Sequence, residues 1–288
     1  MSEQATVLRF RRFFRTPKGL LTIVLAVILA IAIPFEGAAL VLPGLAAAVV
    51  AATIVDAPIL RWREKEWVAP SGAWLTAAIV AMVLSPHEPW WVPAVTAVVG
   101  IVSKYVVRVG SANVFNPAAL ALLVTFFPLH TGQSWWGALP ELPIYAIAAL
   151  LIGGVFITHR VNKMPAALSF LGVYYLLVTV IAFAGDPGHV AELYRAPDLH
   201  AALFFALIMV TDPPTSPPKP RDQMVYGAIT AVVAFTIFET VGAVYYLVGG
   251  LVVANVWDAW RRWRLRVKRE RERAARAPNR QAPVMSVP

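Results

Sequence analysis

Two asparagines and a proline interrupt an otherwise apolar stretch of the chain, SANVFNPAALALL, which runs from Ser111 to Leu123. Asn116 suits the N-cap of a helix, and Pro117 suits its first position, where the missing N–H costs nothing. A helix N-terminus aimed into a protein carries partial positive charge and free N–H groups, which favour an anionic or electron-rich ligand. Asn113, Asn116 and Pro117 are therefore candidate binding residues.

A second polar interruption, MVTDPPTSPPKPRDQM, follows a later apolar segment. Its Thr-Asp start could close a turn, and Asp212 could instead cap a helix or pair with Lys219 or Arg221. Ordinary caps and turns explain both interruptions equally well, because Asn-Pro and Pro-Pro are common turn dipeptides. If this segment contributes to a site, its candidate residues are Thr211, Asp212, Thr215 and Ser216.

The composition places both interruptions in a membrane protein. Hydrophobic residues make up 59% of the chain and charged residues only 14%, against about 25% charged in an ordinary soluble domain. Irregular backbone at membrane depth is tolerated only when it is buried in protein or lines a polar cavity. The chain has no cysteine, so a redox role would need an organic cofactor or a metal site without thiolates.

The hydropathy pattern predicts an all-α polytopic membrane protein with about ten transmembrane helices. The last predicted span ends near residue 258, and basic segments flank the membrane domain at 1–18 and 259–288. The predicted spans cover about residues 19–34, 38–60, 70–85, 91–108, 114–128, 143–158, 166–184, 200–211, 224–240 and 242–258.

Lys and Arg fall on every second connection between these spans, as in RWREKEW after the second span and HRVNK after the sixth. The positive-inside rule then predicts that both termini are cytoplasmic. The net charge of +9 is explained by this bias. We therefore expect anionic lipid headgroups at the cytoplasmic face, and no nucleic acid, as partners.

Ten spans divide into two sets of five, which we place at about residues 19–128 and 143–258. An odd number of helices per set makes any internal repeat an inverted one, and short segments broken by Gly or Pro in both sets point to a binding site. Lys104 and Arg108 lie close to the first interruption. They are candidate partners for a phosphate or another anion.

Three polar residues within the spans are further candidates. Asp56 is ionisable and lies near the end of the second span, so it could belong to an ion pathway or simply pair with Arg61 or Arg63. Asn255 and Asp258 on the last span are expected to hydrogen-bond across helices.

Two tryptophan pairs lie in predicted outer connections, one at Trp90 and Trp91 and one at Trp135 and Trp136. Either pair could belong to the aromatic belt at the membrane interface. The histidines show no metal-ligand spacing, so no metal site is expected.

The chain resembles the RnfD and NqrB family of integral membrane subunits from the ferredoxin:NAD and sodium-pumping NADH:quinone oxidoreductases of bacteria. The resemblance rests on Ser71 to Leu123, with its Pro/Trp-rich loop, its lysine near the end of the fourth span and its FNPA helix entry. It rests also on FFALIMVTDPPTSP, from Phe204 to Pro217. The two motifs stand in the family's order.

The resemblance implies ten helices in two inverted five-helix repeats, a fold related to urea channels, and a bound flavin. In the family an FMN is attached through its phosphate to a threonine in an outer loop. The corresponding region here, PLHTGQSWWGALPELP, lacks that motif and has only Thr131 and Ser134 as hydroxyls. A noncovalent FMN or riboflavin is therefore the expectation, with Trp135 or Trp136 available for stacking.

The expected function is that of a membrane subunit of a flavin-dependent electron-transport complex, with ion transport as a possible coupled activity. Its expected partners are other membrane or peripheral redox subunits. No catalytic residue is assigned, because the chemistry would belong to the flavin. Two alternatives stay open, namely a channel or transporter for a small solute or flavin with the same fold, and a membrane anchor for a soluble flavoprotein.

Overall fold

The computed structural model describes residues 13–110, 112–140, 142, 144–184, 194 and 198–276. Within these residues the chain forms ten helices, one for each predicted span. The basic residues before 13, Ser111 and the tail after 276 lie outside the described residues. The helices are α1 (Pro17–Glu36), α2 (Ala38–Glu64), α3 (Ser71–Val83), α4 (Trp91–Val106), α5 (Pro117–Leu129), α6 (Ile144–Arg160), α7 (Met164–Ala184), α8 (Asp198–Phe204), α9 (Pro220–Val241) and α10 (Tyr246–Arg276).

Three smaller elements complete the description. A hairpin of β1 (Arg108–Val109) and β2 (Ala112–Asn113) joins α4 to α5. A 3₁₀ turn forms at Trp136–Ala138, and α8 continues as a π-helix over Phe205–Met209.

Four helices, α1, α2, α7 and α9, are long and apolar enough to cross a membrane, and five of the others are shorter apolar helices. The short helices α3 and α5 have 13 residues each, which rise only about 20 Å against a hydrocarbon core of about 30 Å. The fold is therefore an all-α polytopic membrane fold in which irregular segments complete the short spans.

Local sequence signals explain where these helices begin and end. The Thr16 side chain accepts from the Gly19 N–H at 3.1 Å and caps α1, and Asn116 caps α5 in the same way. The helix α9 ends at Gly242, whose φ of 61° is left-handed, a conformation that glycine adopts without the Cβ penalty of other residues.

The helices pair in a pattern that recurs in the two predicted sets. In the first set α2 packs along α4 and α4 along α5, and in the second set α7 packs along α9 and α9 along α10. Two glycines permit close approach in the second set: a Cβ at Gly227 would lie 2.4 Å from the Ala166 carbonyl oxygen, and one at Gly250 would lie 2.5 Å from that of Thr230. The sets meet where α1 contacts α6 and where α5 contacts α10.

The main core lies between the two sets and contains large buried aromatic side chains such as Phe170, Tyr174 and Tyr226. A smaller core, rich in alanine, joins α2, α3 and α4. Many apolar side chains point outward, including Phe183, which is 89% exposed. Such a surface suits contact with lipid rather than water.

Candidate functional site

The two polar interruptions predicted from the sequence meet in the structure. The Asn116 side chain accepts from the Ala119 N–H at 3.1 Å and donates to the Met209 carbonyl at 3.2 Å. The first bond caps α5, as predicted, and the second ties the start of α5 to the end of the π-helix. A single buried amide therefore joins segments 93 residues apart.

Asn255 of α10 completes this junction. Its side-chain oxygen accepts from the Asn116 backbone N–H at 2.9 Å, and its NH₂ group donates to the Thr215 carbonyl at 3.2 Å and to the Tyr226 hydroxyl at 2.5 Å. Asn255 is fully buried. The predicted hydrogen bonding across helices is confirmed for this residue.

A cavity of about 590 Å³ opens beside the junction, and we call it the inner cavity because it lies at the end predicted to be cytoplasmic. Its volume is within the range of ligand pockets. The polar part of its lining consists of Thr16, Lys18, Ser71, Thr76, Lys104, Asn113, Asn116, Thr211 and Asp212. The apolar part includes Leu21, Leu75, Ile79, Ala118, Ile157, Leu207 and Ile208.

The electrostatic character of the inner cavity favours an anionic group. The helix α3 begins at Ser71 without a side-chain cap, and Ser71 and the start of α5 both line the cavity. Two lysines, Lys18 and Lys104, face it, and Asp212 is the one acidic residue among the described lining residues. Helix N-termini and ammonium groups together form a common anion-binding arrangement.

Lys104 connects the inner cavity to a buried carboxylate. Its ammonium lies 3.9 Å from Oδ1 of Asp56, and the Tyr105 hydroxyl donates to the same oxygen at 2.7 Å. Asp56 is only 3% exposed. The alternative pairing of Asp56 with Arg61 or Arg63 is therefore wrong, and its partners come from α4.

The segment after the π-helix forms the predicted turn. The Asp212 carbonyl accepts from the N–H groups of Thr215 and Ser216 at 3.2 and 3.1 Å, and the Thr215 hydroxyl donates to Oδ2 of Asp212 at 2.8 Å. Among the described residues Asp212 forms no ion pair with Lys219 or Arg221. Burial raises the pKa of the Asp212 carboxyl, and the Thr215 hydrogen bond partly opposes the rise.

Three candidate residues in and beside the two interruptions do not line the inner cavity. Thr215 and Ser216 turn back into their own segment, because their hydroxyls bond to Asp212, and Arg108 lies in β1 of the hairpin. Thr215 and Ser216 hold the turn at Asp212, whereas Asn113, Asn116, Pro117, Thr211, Asp212 and Lys104 line the cavity.

Lys163, in the connection between α6 and α7, anchors the same segment and was not predicted to do so. Its ammonium donates to the carbonyls of Ser216 at 3.0 Å and Pro217 at 2.6 Å. The residue is 5% exposed, and burial lowers the pKa of its ammonium to about 8. In the sequence it stands in a basic connection, which signals topology but not this contact.

A second cavity, of about 600 Å³, lies at the opposite end of α3, and we call it the outer cavity. Trp135 and Trp136 line it and are 5% and 2% exposed, so their assignment to an aromatic belt is wrong. Trp90 and Trp91 are 62% and 43% exposed, as a belt requires. The remaining polar lining of the outer cavity includes Glu36, Ser85, His87, Gln133, Ser134, Asp198 and Tyr246.

Gln133 in the outer cavity has unsatisfied hydrogen-bonding groups. Its side-chain oxygen and nitrogen are both buried without a partner, and so is the hydroxyl of the nearby Thr131. Buried amides without partners are rare in folded proteins. An amide presents one acceptor and one donor side by side, so Gln133 is an unsatisfied polar group in the wall of the outer cavity.

Packed side chains separate the two cavities. Ile79 lines the inner cavity and Ser85 the outer one, and the α3 residues between them, Val80 to Val83, rise only about 6 Å. On α8 and its π-helix, Phe204 and Phe205 lie between the two linings and are at most 1% exposed. Trp135 contacts both rings edge-on. We call the layer formed by Phe204, Phe205 and the α3 residues between the two cavities the septum.

Short helices that end at polar junctions inside an apolar helical bundle are typical of a multi-pass membrane protein, and this one contains two internal cavities. Comparison with known proteins specifies the family. The NQR2, RnfD, RnfE family model matches residues 10–140 and 142–248, and the chain belongs to that family. The resemblance predicted from the FNPA and TDPPTSP segments is confirmed, and the bacterial inner membrane is the location consistent with it.

A curated relative from Haemophilus ducreyi is a subunit of an ion-translocating oxidoreductase complex, and it is 31% identical to this chain over 148 residues. The match covers 48% of this chain and 42% of the relative. The chain therefore matches less than half the length of that protein.

Proposed function

We propose that this protein is the membrane subunit of an ion-translocating electron-transport complex, and that it holds a noncovalent flavin in the inner cavity. The observation that carries the proposal is the lining of that cavity, in which apolar walls meet two helix N-termini and two lysines. The name of the Haemophilus ducreyi relative supports the kind of complex. A bound flavin would supply one- and two-electron redox chemistry.

Each part of the lining has a role in this proposal. Lys18 and Lys104 neutralise an anionic group, and the start of α3 adds the partial positive charge of a helix N-terminus. The apolar side chains exclude water and cover the flat part of the ligand. Asn116 and Asn255 fix the distance between α5 and the segment after the π-helix, so the cavity keeps its shape.

The outer cavity is the alternative site for the flavin ring. Trp135 and Trp136 provide aromatic surface there, and the free Gln133 amide provides a donor and an acceptor. The two cavities lie on opposite sides of the septum, so Trp135 and Trp136 cannot stack on a ring bound at Asn116.

We propose that Asp56 belongs to an ion pathway that responds to charge in the inner cavity. Asp56 is buried, and its partner Lys104 lines the cavity. A negative charge on a ligand would attract the Lys104 ammonium away from Asp56. The Asp56 carboxylate would then bind another cation. In this way, transfer of an electron to the ligand would be coupled to ion binding.

The proposed architecture is two inverted repeats of five helices with both termini cytoplasmic. The recurrence of packing partners, α2 with α4 and α7 with α9, supports the repeat. The distribution of Lys and Arg over the connections supports the orientation. Other redox subunits would then dock from the membrane plane or from the cytoplasm.

The septum argues against a channel as the main function. A solute crossing the protein would have to pass Phe204, Phe205 and the packed residues of α3, which are buried. Electron transfer needs no open path, and a thin apolar layer between two cavities suits it. A transporter would require this layer to open.

The experiment that tests the proposed function is an absorbance spectrum of detergent-purified protein before and after acid precipitation. A flavin band that leaves with the supernatant is the expected result, because the family's covalent motif is missing from the chain. A band that stays with the pellet would contradict noncovalent binding. Colourless protein that remains colourless after incubation with FMN or riboflavin would contradict the proposal and favour the transporter.

A further inference from the structure

The helix α10 is longer than a membrane span. Its 31 residues rise about 46 Å, whereas the hydrocarbon core is about 30 Å thick. The last part of α10 therefore extends beyond the hydrocarbon. This part carries most of the basic residues of the helix.

Arginines form a stripe along one face of this extension. Arg262, Arg266, Arg269 and Arg273 are spaced by four, three and four residues, which places them on the same side of a helix. With Lys219 and the hairpin residues Val109 and Gly110 they line a groove of about 640 Å³. We call it the basic groove.

Ion pairs within the protein neutralise only some of these cations. Arg261 pairs with Asp222 at 2.6 Å and with Asp258 at 2.7 Å, and Arg262 also pairs with Asp258. Arg266 pairs with Glu270 at 2.9 Å.

The described residues provide no ion pair for three cations of the basic groove, which are Lys219, Arg269 and Arg273. Two of them, Arg269 and Arg273, are one helical turn apart. A ligand with at least two negative charges would match this arrangement.

Exposed tryptophans show at which depth the basic groove lies. Trp260 and Trp263 are 51% and 53% exposed, and they lie on either side of Arg262, the first residue of the arginine stripe. Exposed tryptophans of membrane proteins concentrate at the level of the lipid headgroups. The groove therefore begins at that level and extends toward water.

We propose that the basic groove binds the headgroup of an anionic phospholipid that carries two phosphate groups. Arginine binds phosphate through parallel hydrogen bonds, and the groove adds the point charge of Lys219. The depth of the groove favours a lipid over an acidic segment of a soluble partner. This inference rests on the proposed cytoplasmic orientation but not on the flavin.

The test measures lipid binding to the full-length protein in detergent by native mass spectrometry. Diphosphatidylglycerol, phosphatidylglycerol and phosphatidylcholine are added separately. We expect the two-phosphate lipid to bind at least tenfold more tightly than the one-phosphate lipid, and the zwitterionic lipid to bind least.

A double variant, Arg269→Gln with Arg273→Gln, should lose this preference. The matched control is Lys268→Gln with Arg271→Gln, which removes the same charge from the same helix outside the groove and should retain the preference. Both pairs are exposed, so neither should affect folding.

Three results would overturn the proposal: no preference for two phosphates, an equal loss in the control variant, or displacement of the lipid by a polyglutamate peptide at equal charge concentration. The last result would assign the groove to an acidic protein partner. Flavin content is measured on the same samples. In the wild-type protein, absence of a lipid preference with flavin present would contradict only the groove, and absence of flavin with the preference intact would contradict only the proposed function.

Discussion

At the residue scale, Asn255 holds together three segments that are distant in the sequence. Substitution of Asn255 by Leu would leave the Asn116 N–H and the Thr215 carbonyl without their partner. Each buried group left unpaired costs about 1–3 kcal/mol. We therefore expect a clear fall in the melting temperature of the detergent-solubilised protein.

The variant Asn255→Asp is the matched comparison, because it keeps the acceptor for Asn116 and loses the donor to Thr215. Its melting temperature should lie between those of Asn255→Leu and the wild type. Equal melting temperatures for Asn255→Leu and the wild type would show that the junction contributes little to stability.

The buried Lys163 predicts a dependence of stability on pH. Its pKa falls from 10.5 to about 8 in the folded protein. Between these values the unfolded chain binds a proton that the folded protein does not, so stability should rise as the pH increases from about 8 toward 10.5.

The variant Lys163→Met removes the titrating group, so its melting temperature should lack this rise. Melting temperatures of both proteins at pH 7, 8, 9 and 10 measure the difference. If the melting temperatures of the two proteins changed with pH in the same way, the pKa of Lys163 would not be lowered in the folded protein.

At the element scale, helix packing depends on particular glycines. The variant Gly250→Ala places a methyl group against the backbone of α9, where a Cβ would lie 2.5 Å from the Thr230 carbonyl oxygen. We expect α9 and α10 to separate and the melting temperature to fall. Since α10 carries Asn255, flavin content should fall as well.

Gly172 offers a control within the membrane domain, because a Cβ there would meet nothing within 4 Å. The variant Gly172→Ala should be neutral or slightly stabilising, since alanine favours a helix over glycine. If both alanine variants behave alike, the close contact between α9 and α10 is not a determinant of stability.

Sequence patterns predicted the helices much better than they predicted the contacts between them. Each span was recognisable from hydropathy, and Asn116 was recognisable as a cap because Asn-Pro before an apolar run is a local signal. The bonds from Asn116 to Met209 and to Asn255 join residues 93 and 139 apart. No local pattern encodes such pairs.

For the remaining residues the sequence did not predict the role correctly, because that role depends on burial. Trp135 and Trp136 have the composition of an interface belt, but the 3₁₀ turn places them inside the protein. Lys163 and Gln133 are ordinary polar residues in the sequence, and only the packing around them makes them unusual.

At the scale of the whole molecule, the absence of cysteine from the chain permits a direct test of orientation. Two exposed positions serve for this, Glu66 after α2 and Pro89 before α4. With single Glu66→Cys and Pro89→Cys variants, a membrane-impermeant maleimide should label only position 89 in intact cells. Position 66 should react after the membrane is permeabilised, and the reverse pattern would contradict the proposed topology.

Under the proposed function, the arrangement of two cavities around a septum would let one protein hold redox groups without conducting solutes. The inner cavity has the positive lining, and the outer cavity has the aromatic lining and the unsatisfied amide. Electron transfer through the septum would connect the two faces. The inner cavity is the site that we propose for the flavin.

The most direct test of this claim is the molar ratio of noncovalent flavin to protein in three samples purified in parallel. Lys104→Gln alters the inner cavity and Gln133→Leu the outer one, and both variants must elute like the wild type on size exclusion. The account predicts near-stoichiometric flavin in the wild type and in Gln133→Leu, and a loss of most of it in Lys104→Gln. Full flavin in Lys104→Gln together with its loss in Gln133→Leu would contradict the account and move the site to the outer cavity.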